Sequence, residues 1–234
     1  MKAMILAAGL GTRMRPLTDH TPKPLLRAGG KALIGYHIEK LAAAGVSDIV
    51  VNCSWLAGQL DAYLQGIGRR CGLVIRVSRE QTPLETAGGI VQALPLLCHG
   101  NVNDDPFLLI NGDIWTDFDF ATLITKRPDA AHLVMIKNPP HNPLGDFGLS
   151  ASGLVTEKTA VGDEASYTFS GISVWRPSLF GDFSTGKRAL KPVMQAAMAR
   201  AAVSGDLYDG HWWDIGTPER LAALDVFLRV KTDS

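Results

Sequence analysis

Short apolar runs alternate, along the amino-terminal part of the chain, with stretches whose apolar positions recur at helical spacing. Lys2–Ala8 reads as a buried strand, as do the runs near Ile49–Asn52, at Leu73–Val77, at Phe107–Ile110 and at Leu133–Ile136. Between them, Ile34–Ala44, Leu56–Leu64 and Gly89–Leu94 carry the helical period, and Cys98 to Asp105 reads as a polar, turn-rich loop. Strand–helix alternation predicts an α/β fold, a mostly parallel sheet sandwiched by helices. Ligands of such sheets lie at the carboxyl ends of the strands. The rest of the chain has another rhythm. Gly145–Leu149, Leu154–Thr156 and Tyr167–Trp175 read as antiparallel strands of a small lid-like subregion, and Leu190–Arg200 and Glu219–Val230 as helices. No linker or repeat interrupts the pattern, so residues 1–234 are expected to form one domain.

Composition removes several classes of function. The 23 basic and 23 acidic residues balance, which leaves no bulk attraction to nucleic acid or anionic membrane. Three scattered cysteines, none in a Cys-x-x-Cys pair, argue against a disulfide framework or a thiolate zinc site. The six histidines show no metal-ligand spacing, and His37 and His132 read as surface or half-buried residues. Charged residues come too early for a signal peptide and no apolar run reaches membrane length, so a soluble cytoplasmic protein is expected.

The predicted strand ends carry the chemistry. The first strand runs straight into Gly9-Leu10-Gly11-Thr12-Arg13-Met14-Arg15-Pro16, followed by Lys23 between two prolines. Glycines let the backbone approach a ligand, and consecutive N–H groups can face phosphate oxygens. With the added cations, the loop suits a polyanionic small molecule such as a triphosphate. It is not a P-loop, since no Lys-Ser or Lys-Thr follows a glycine. Met14 replaces the third glycine of the dinucleotide fingerprint, which disfavours hydride transfer. Taken alone, Gly9 and Gly11 also fit an ordinary strand-to-helix turn.

Asp113 stands at the tip of the Phe107–Ile110 run and Asp214 follows Trp212-Trp213. Either carboxylate suits a divalent cation, since Mg²⁺ often takes one or two carboxylates plus substrate phosphates. Asp113 also fits an N-cap or Asx-turn, and Thr217-Pro218 a helix start. Small residues around Gly88-Gly89 leave room for a flat base, with Glu85 able to accept from it; a helix-capping pattern fits equally. Asp146, Glu157 and Lys158 suit hydroxyls and phosphate, or a solvated strand face.

In combination these segments resemble the signature of the sugar-1-phosphate nucleotidyltransferases. Ala7-Ala8-Gly9-Leu10-Gly11-Thr12-Arg13, Pro22-Lys23-Pro24, Asn111-Gly112-Asp113 and Trp213-Asp214-Ile215-Gly216-Thr217-Pro218 match in order along essentially the whole chain. The resemblance implies a Rossmann-like sheet with the antiparallel subregion on the sugar side, and UTP and a sugar-1-phosphate as substrates. It implies that Ala8, Gly9, Gly11, Thr12 and Arg13 hold nucleotide phosphates, with Arg13 and Lys23 acting at the reacting centre. Glu85 and Gly88 would address the base, Asn111, Asp146, Glu157, Lys158 and Gly171 the sugar phosphate, and Asp113 and Asp214 would ligate Mg²⁺. Within the family, Pro83–Gly89, Asn111–Asp117, Gly145-Asp146-Phe147 and Phe169–Ser173 are most similar to the compact branch that activates N-acetylmuramate-1-phosphate in cell-wall recycling. Mannose-, heptose- or glucose-1-phosphate with another nucleotide, and a non-catalytic sugar-nucleotide sensor, stay open. The compact length suggests a monomer.

Overall fold

A computed structural model describes residues 1–98, 104–158 and 166–232. In chain order come β1 (Ala3–Leu6), the hairpin β2 (Arg27–Ala28) and β3 (Lys31–Ala32), α1 (Leu33–Ala43), β4 (Asp48–Cys53) and α2 (Ala57–Cys71). Then follow β5 (Val74–Arg79), α3 (Glu85–Cys98), β6 (Phe107–Asn111), β7 (Ile114–Thr116) and β8 (Ala131–Ile136). The remainder is β9 (Phe147–Leu149), β10 (Val155–Glu157), β11 (Ser166–Trp175), α4 (Lys191–Met198), β12 (Val203–Tyr208), β13 (Trp212–Asp214) and α5 (Pro218–Thr232).

Nine of these strands form the main sheet. Its centre, β6-β1-β4-β5, is parallel, with Leu6 in register with both Asn52 and Asn111, and Asn52 with Ser78. Their carboxyl ends therefore finish along one edge, where the opening loop, residues 52–54, residues 80–84 and Asn111-Gly112-Asp113 emerge. The antiparallel part enters through β11, which pairs with β6, β8 and β9. The Ala131–Ile136 strand thus does not continue the parallel row; it joins β11 antiparallel and takes β12 as a parallel neighbour. The register of β11 shifts between Phe169 and Ser173, around Gly171 at φ +81°.

Alternation across the pleat builds two apolar layers. Met4, Val50 and Leu109 face a core closed by α3 and α4, while Ile5, Val51 and Ile110 face one closed by α1 and α2. A third cluster joins α5 to the opening loop through Met14, Leu33, Trp115, Ile215 and Leu224. Met14, the residue that breaks the dinucleotide fingerprint, is fully buried and fastens the loop to the body of the protein.

Two helices extend well beyond the sequence reading for packing reasons. α2 runs on to Cys71 because Ile67 continues the buried stripe of Leu60 and Leu64, whereas Leu56 is a left-handed residue outside it. α3 begins at Glu85 and passes through Pro95 to Cys98, since Leu97 still reaches the core; tertiary burial outweighs the proline. Cys98 therefore ends a helix rather than opening a loop, and residues 99–103 lie outside the described residues. α4 is shorter than expected, Lys191–Met198.

His37 and His132 are buried, at 1% and 3% exposure, and not at the surface. Each has local partners: Nε2 of His37 donates to the Ile114 carbonyl (2.8 Å), and His132 lies between Ser204 and Asp206 (2.9 and 3.1 Å). Burial lowers the His37 pKa to about 4, against the raising effect of its bond to Ile114. In an unfolded chain the imidazole titrates near 6.5, so below that pH the unfolded state binds the extra proton first and stability falls until about pH 4. This histidine should remove about 2 kcal/mol between pH 7 and pH 5. Urea unfolding of His37→Gln, which keeps an N–H for Ile114, should lack that increment; an equal loss in the variant would reject the assignment.

Candidate functional site

The opening loop owes its shape to a few residues. Gly11 is left-handed (φ +64°), and a Cβ there would come within 2.9 Å of Thr18, whose hydroxyl donates to the Gly11 carbonyl (2.8 Å). One 3₁₀ turn, Thr12–Met14, follows and leaves Arg13 exposed above buried Met14. Gly112 packs on the end of β1: its N–H donates to the Leu6 carbonyl (2.9 Å), and a Cβ would lie 2.5 Å from that oxygen. The Asn-Gly-Asp turn thus seats Asp113 directly beside the opening loop.

Two clefts meet here. The first, about 310 Å³, is walled by Ala7, Ala8 and Gly9, by Asn52 and Glu80, by Pro83, Glu85 and Thr86, and by Asn111, Gly112 and Asp113. The second, about 330 Å³, runs along residues 9–14 to Gly216. Gly9, Lys23 and Asp113 line both. At that junction Lys23 Nζ donates to Asp113 Oδ2 at 2.7 Å; the lysine is 10% exposed and the carboxylate 38%. The Pro22-Lys23-Pro24 turn presents this ammonium from a short helical turn, Lys23–Leu25.

Asp113 and Asp214, 101 positions apart in sequence, become neighbours through a two-stranded ladder. β13 pairs antiparallel with β7, placing Asp214 opposite Ile114, and the Ile215 N–H donates to the Asp113 carbonyl (2.9 Å). Asp214 Oδ2 is bound by Arg220 Nη1 and lies 3.5 Å from His141 Nε2. Among the described residues no group of three or more His, Cys, Asp or Glu is poised to hold a metal. The described residues offer at most a carboxylate pair here, a donor set that suits a hard cation completing its shell with phosphate and water.

On the far wall of the first cleft, Glu85 starts α3 in a left-handed conformation and pairs with Lys187 (3.4 Å). A Cβ on Gly88 would collide with the Gly186 carbonyl, and the Gly88 N–H donates to the Arg188 carbonyl (3.1 Å). Gly89 is pressed against a buried polar chain that sequence reasoning missed. Asn52 accepts from the Ala7 N–H (2.7 Å) and donates to Glu80 Oε1 (2.7 Å), while Glu80 Oε2 accepts from the Leu84 N–H (2.9 Å). This chain ties the opening loop to the helix start. Its signal was present: Asn52 follows an apolar run as Asn111 does.

On the antiparallel side, Gly171 lies against the Asn111 side chain, where a Cβ would be 2.7 Å away. Asp146 braces its own loop instead of standing free: Oδ1 accepts from Asn142 (3.0 Å) and Oδ2 from the Phe169 N–H (2.9 Å). Glu157 is exposed, and Lys158 donates to the Leu144 carbonyl (2.7 Å). Asp146, Glu157, Lys158 and Gly171 are not among the residues lining the two clefts; Ala8, Gly9, Lys23, Glu85, Asn111 and Asp113 line the first, and Gly11, Thr12 and Arg13 the second. His141 and Arg220 were not anticipated from sequence, because nothing local marks either as a neighbour of Asp214.

Residues 2–230 match the nucleotidyl transferase family. The N-acetylmuramate alpha-1-phosphate uridylyltransferase of Neisseria meningitidis serogroup B is 47% identical, over 94% of this chain and 95% of its own. That of Caulobacter vibrioides is 37% identical over 97% and 96%. A Bacillus anthracis structure described as a glucose-1-phosphate thymidylyltransferase superposes with a TM-score of 0.82 over 98% and 95% of the two chains; at 21% identity it supports the fold alone.

Proposed function

From the premise that this chain belongs to the nucleotidyl transferase family, we propose that it condenses UTP with N-acetylmuramate-1-phosphate to UDP-N-acetylmuramate and pyrophosphate. The observation that carries this reading is the junction of the two clefts, where Lys23 and Asp113 meet beneath the phosphate loop. A nucleoside triphosphate laid across Gly9–Arg13 places its α-phosphorus there. An oxygen of the sugar phosphate attacks that phosphorus in line; the new P–O bond forms as the α–β bridging P–O bond breaks and pyrophosphate leaves. A phosphate monoester is largely ionised at neutral pH, so the enzyme need supply neither nucleophile nor strong base.

The chain's residues contribute position and charge. Lys23 and Arg13 offset charge on the reacting and leaving phosphates, and Gly11 and Thr12 direct backbone N–H groups at them. We assign Glu85 and Gly88 to the base and Asn111 to the sugar phosphate; Asp146, Glu157, Lys158 and Gly171, which lie outside both clefts, are assigned to the sugar side, where Asp146 and Lys158 act by shaping the loop they brace. Asp113 and Asp214 would hold Mg²⁺, which when bound supplies electrophilic charge at the phosphates. Among the described residues no helix is long and apolar enough to cross a membrane, and we place the enzyme in the cytoplasm, as a monomer serving peptidoglycan recycling.

The test is pyrophosphate release with Mg²⁺, crossing UTP, dTTP, GTP and CTP with N-acetylmuramate-, N-acetylglucosamine-, glucose- and mannose-1-phosphate. Turnover should be highest with UTP and N-acetylmuramate-1-phosphate by at least tenfold, about 1.4 kcal/mol of transition-state discrimination. Preference for another pair would overturn the substrate assignment, and binding without turnover would overturn the enzymatic one.

A further inference from the structure

The surroundings of Asp214 are more elaborate than a paired carboxylate needs. Both of its neighbours fall on one oxygen: Arg220 Nη1 binds Oδ2, and His141 Nε2 stands 3.5 Å from the same atom. Among the described residues, Oδ1 has no hydrogen-bond partner. Asp113 is handled alike, with Lys23 on Oδ2.

Each neighbour is itself held. Arg220 sits in the first turn of α5, where its N–H meets the Thr217 hydroxyl (3.4 Å). His141 lies nearly flat on Trp212, with centroids 6.3 Å apart and planes at 18°, and Trp212 Nε1 donates to the Ser170 carbonyl (2.8 Å). The loop carrying His141 is braced at both ends. Asn138 donates to the Ser166 carbonyl (3.0 Å) and accepts from the Thr168 hydroxyl (3.0 Å), and Asn142 donates to Asp146 and Thr168 (3.0 and 3.1 Å). These bonds lie in partly exposed surroundings and close no apolar core; their common effect is to fix the loop that brings His141 to Asp214.

We propose that Arg220 and His141 are positioning residues that clamp Asp214 Oδ2 and so present Oδ1 as a single, oriented ligand oxygen for the divalent cation. The proposal rests on the reading of Asp214 as a metal ligand. Partners that orient a ligating carboxylate typically change metal affinity 10- to 100-fold when removed. Plain charge balance makes the opposite prediction: deleting a nearby guanidinium leaves the site more negative and should tighten cation binding.

Mn²⁺ alone, titrated into the full-length protein and followed by the EPR signal of the free ion, separates the two. Asp214→Asn should weaken binding about tenfold or more and Arg220→Ala about tenfold, with Arg220→Lys restoring most of it. His141→Phe, which keeps a ring on Trp212 but loses the nitrogen, should weaken it a few-fold. In Arg220→Ala, raised Mn²⁺ should recover kcat while the KM for UTP changes little. Unchanged or tighter Mn²⁺ binding in both Arg220→Ala and His141→Phe, with Asp214→Asn impaired, would overturn the clamp. Unchanged binding in Asp214→Asn would remove Asp214 as a ligand, and the clamp with it.

Discussion

Lys23→Ala should lower kcat about 10³-fold while leaving the fold intact, the scale seen when one preorganised charge-stabilising donor is removed from a reacting centre. The reasons lie in where the ammonium is. At 10% exposure it is shielded from bulk water, and it lies on the wall common to both clefts, where the proposed reaction would move charge from the attacking phosphate to the departing pyrophosphate. The deletion leaves Asp113 without its partner, but that carboxylate is 38% exposed and water can take the ammonium's place. Stability should therefore move by no more than about 1 kcal/mol. Steady-state kinetics together with urea denaturation check both halves. A loss of turnover matched by a loss of folded protein would reduce Lys23 to a structural residue, and near-normal turnover would take it out of the reaction.

Asp113→Asn should be nearly as damaging, about 10²- to 10³-fold in kcat at ordinary Mg²⁺, with a different signature. The amide keeps the shape of the turn over Gly112 but carries no charge, so on the proposed reading a divalent cation would be held less well, and Lys23 loses its counter-ion. The defect should shrink as Mg²⁺ is raised, whereas the Lys23→Ala defect should not. Combining the two changes should cost less than the sum of their separate effects, because the groups bond each other at 2.7 Å and act as a unit. A Mg²⁺ titration of the four enzymes reads this directly; strict additivity with no rescue would show that Asp113 acts other than through metal and Lys23.

Much of this architecture is legible in the chain, unevenly and for physical reasons. β1, β4 and β6 could be read because a parallel strand buried on both faces is a continuous apolar run, and whatever polar residue follows such a run stands at the ligand edge of the sheet. That logic reached Asn111 and Asp113. It would have reached Asn52 had the short run before it been given the same weight. Glu80 was harder, since β5 is less buried and its end less sharply marked. The pairing of β7 with β13 was out of reach: each strand is three residues long, and their partnership joins segments about a hundred residues apart. The two buried histidines were misplaced because imidazole gives no patterning signal when its partners, the Ile114 carbonyl for His37 and the Ser204 hydroxyl for His132, come from strands distant in sequence. Asp146 shows the converse limit. Its spacing beside aromatic residues marked it as a candidate, yet spacing does not tell a free carboxylate from one whose oxygens already hold a loop in place.

The β7–β13 ladder also sets when, during synthesis, this protein becomes an enzyme. Asp113 leaves the ribosome about a hundred residues before Asp214 and its partner Arg220, and the two meet only once β13 has paired with β7. A nascent polypeptide released early would carry the phosphate loop and Lys23 without the completed site. Pairing across so long a separation also raises the contact order of the final folding step, so catalytic competence should lag behind the formation of secondary structure in refolding.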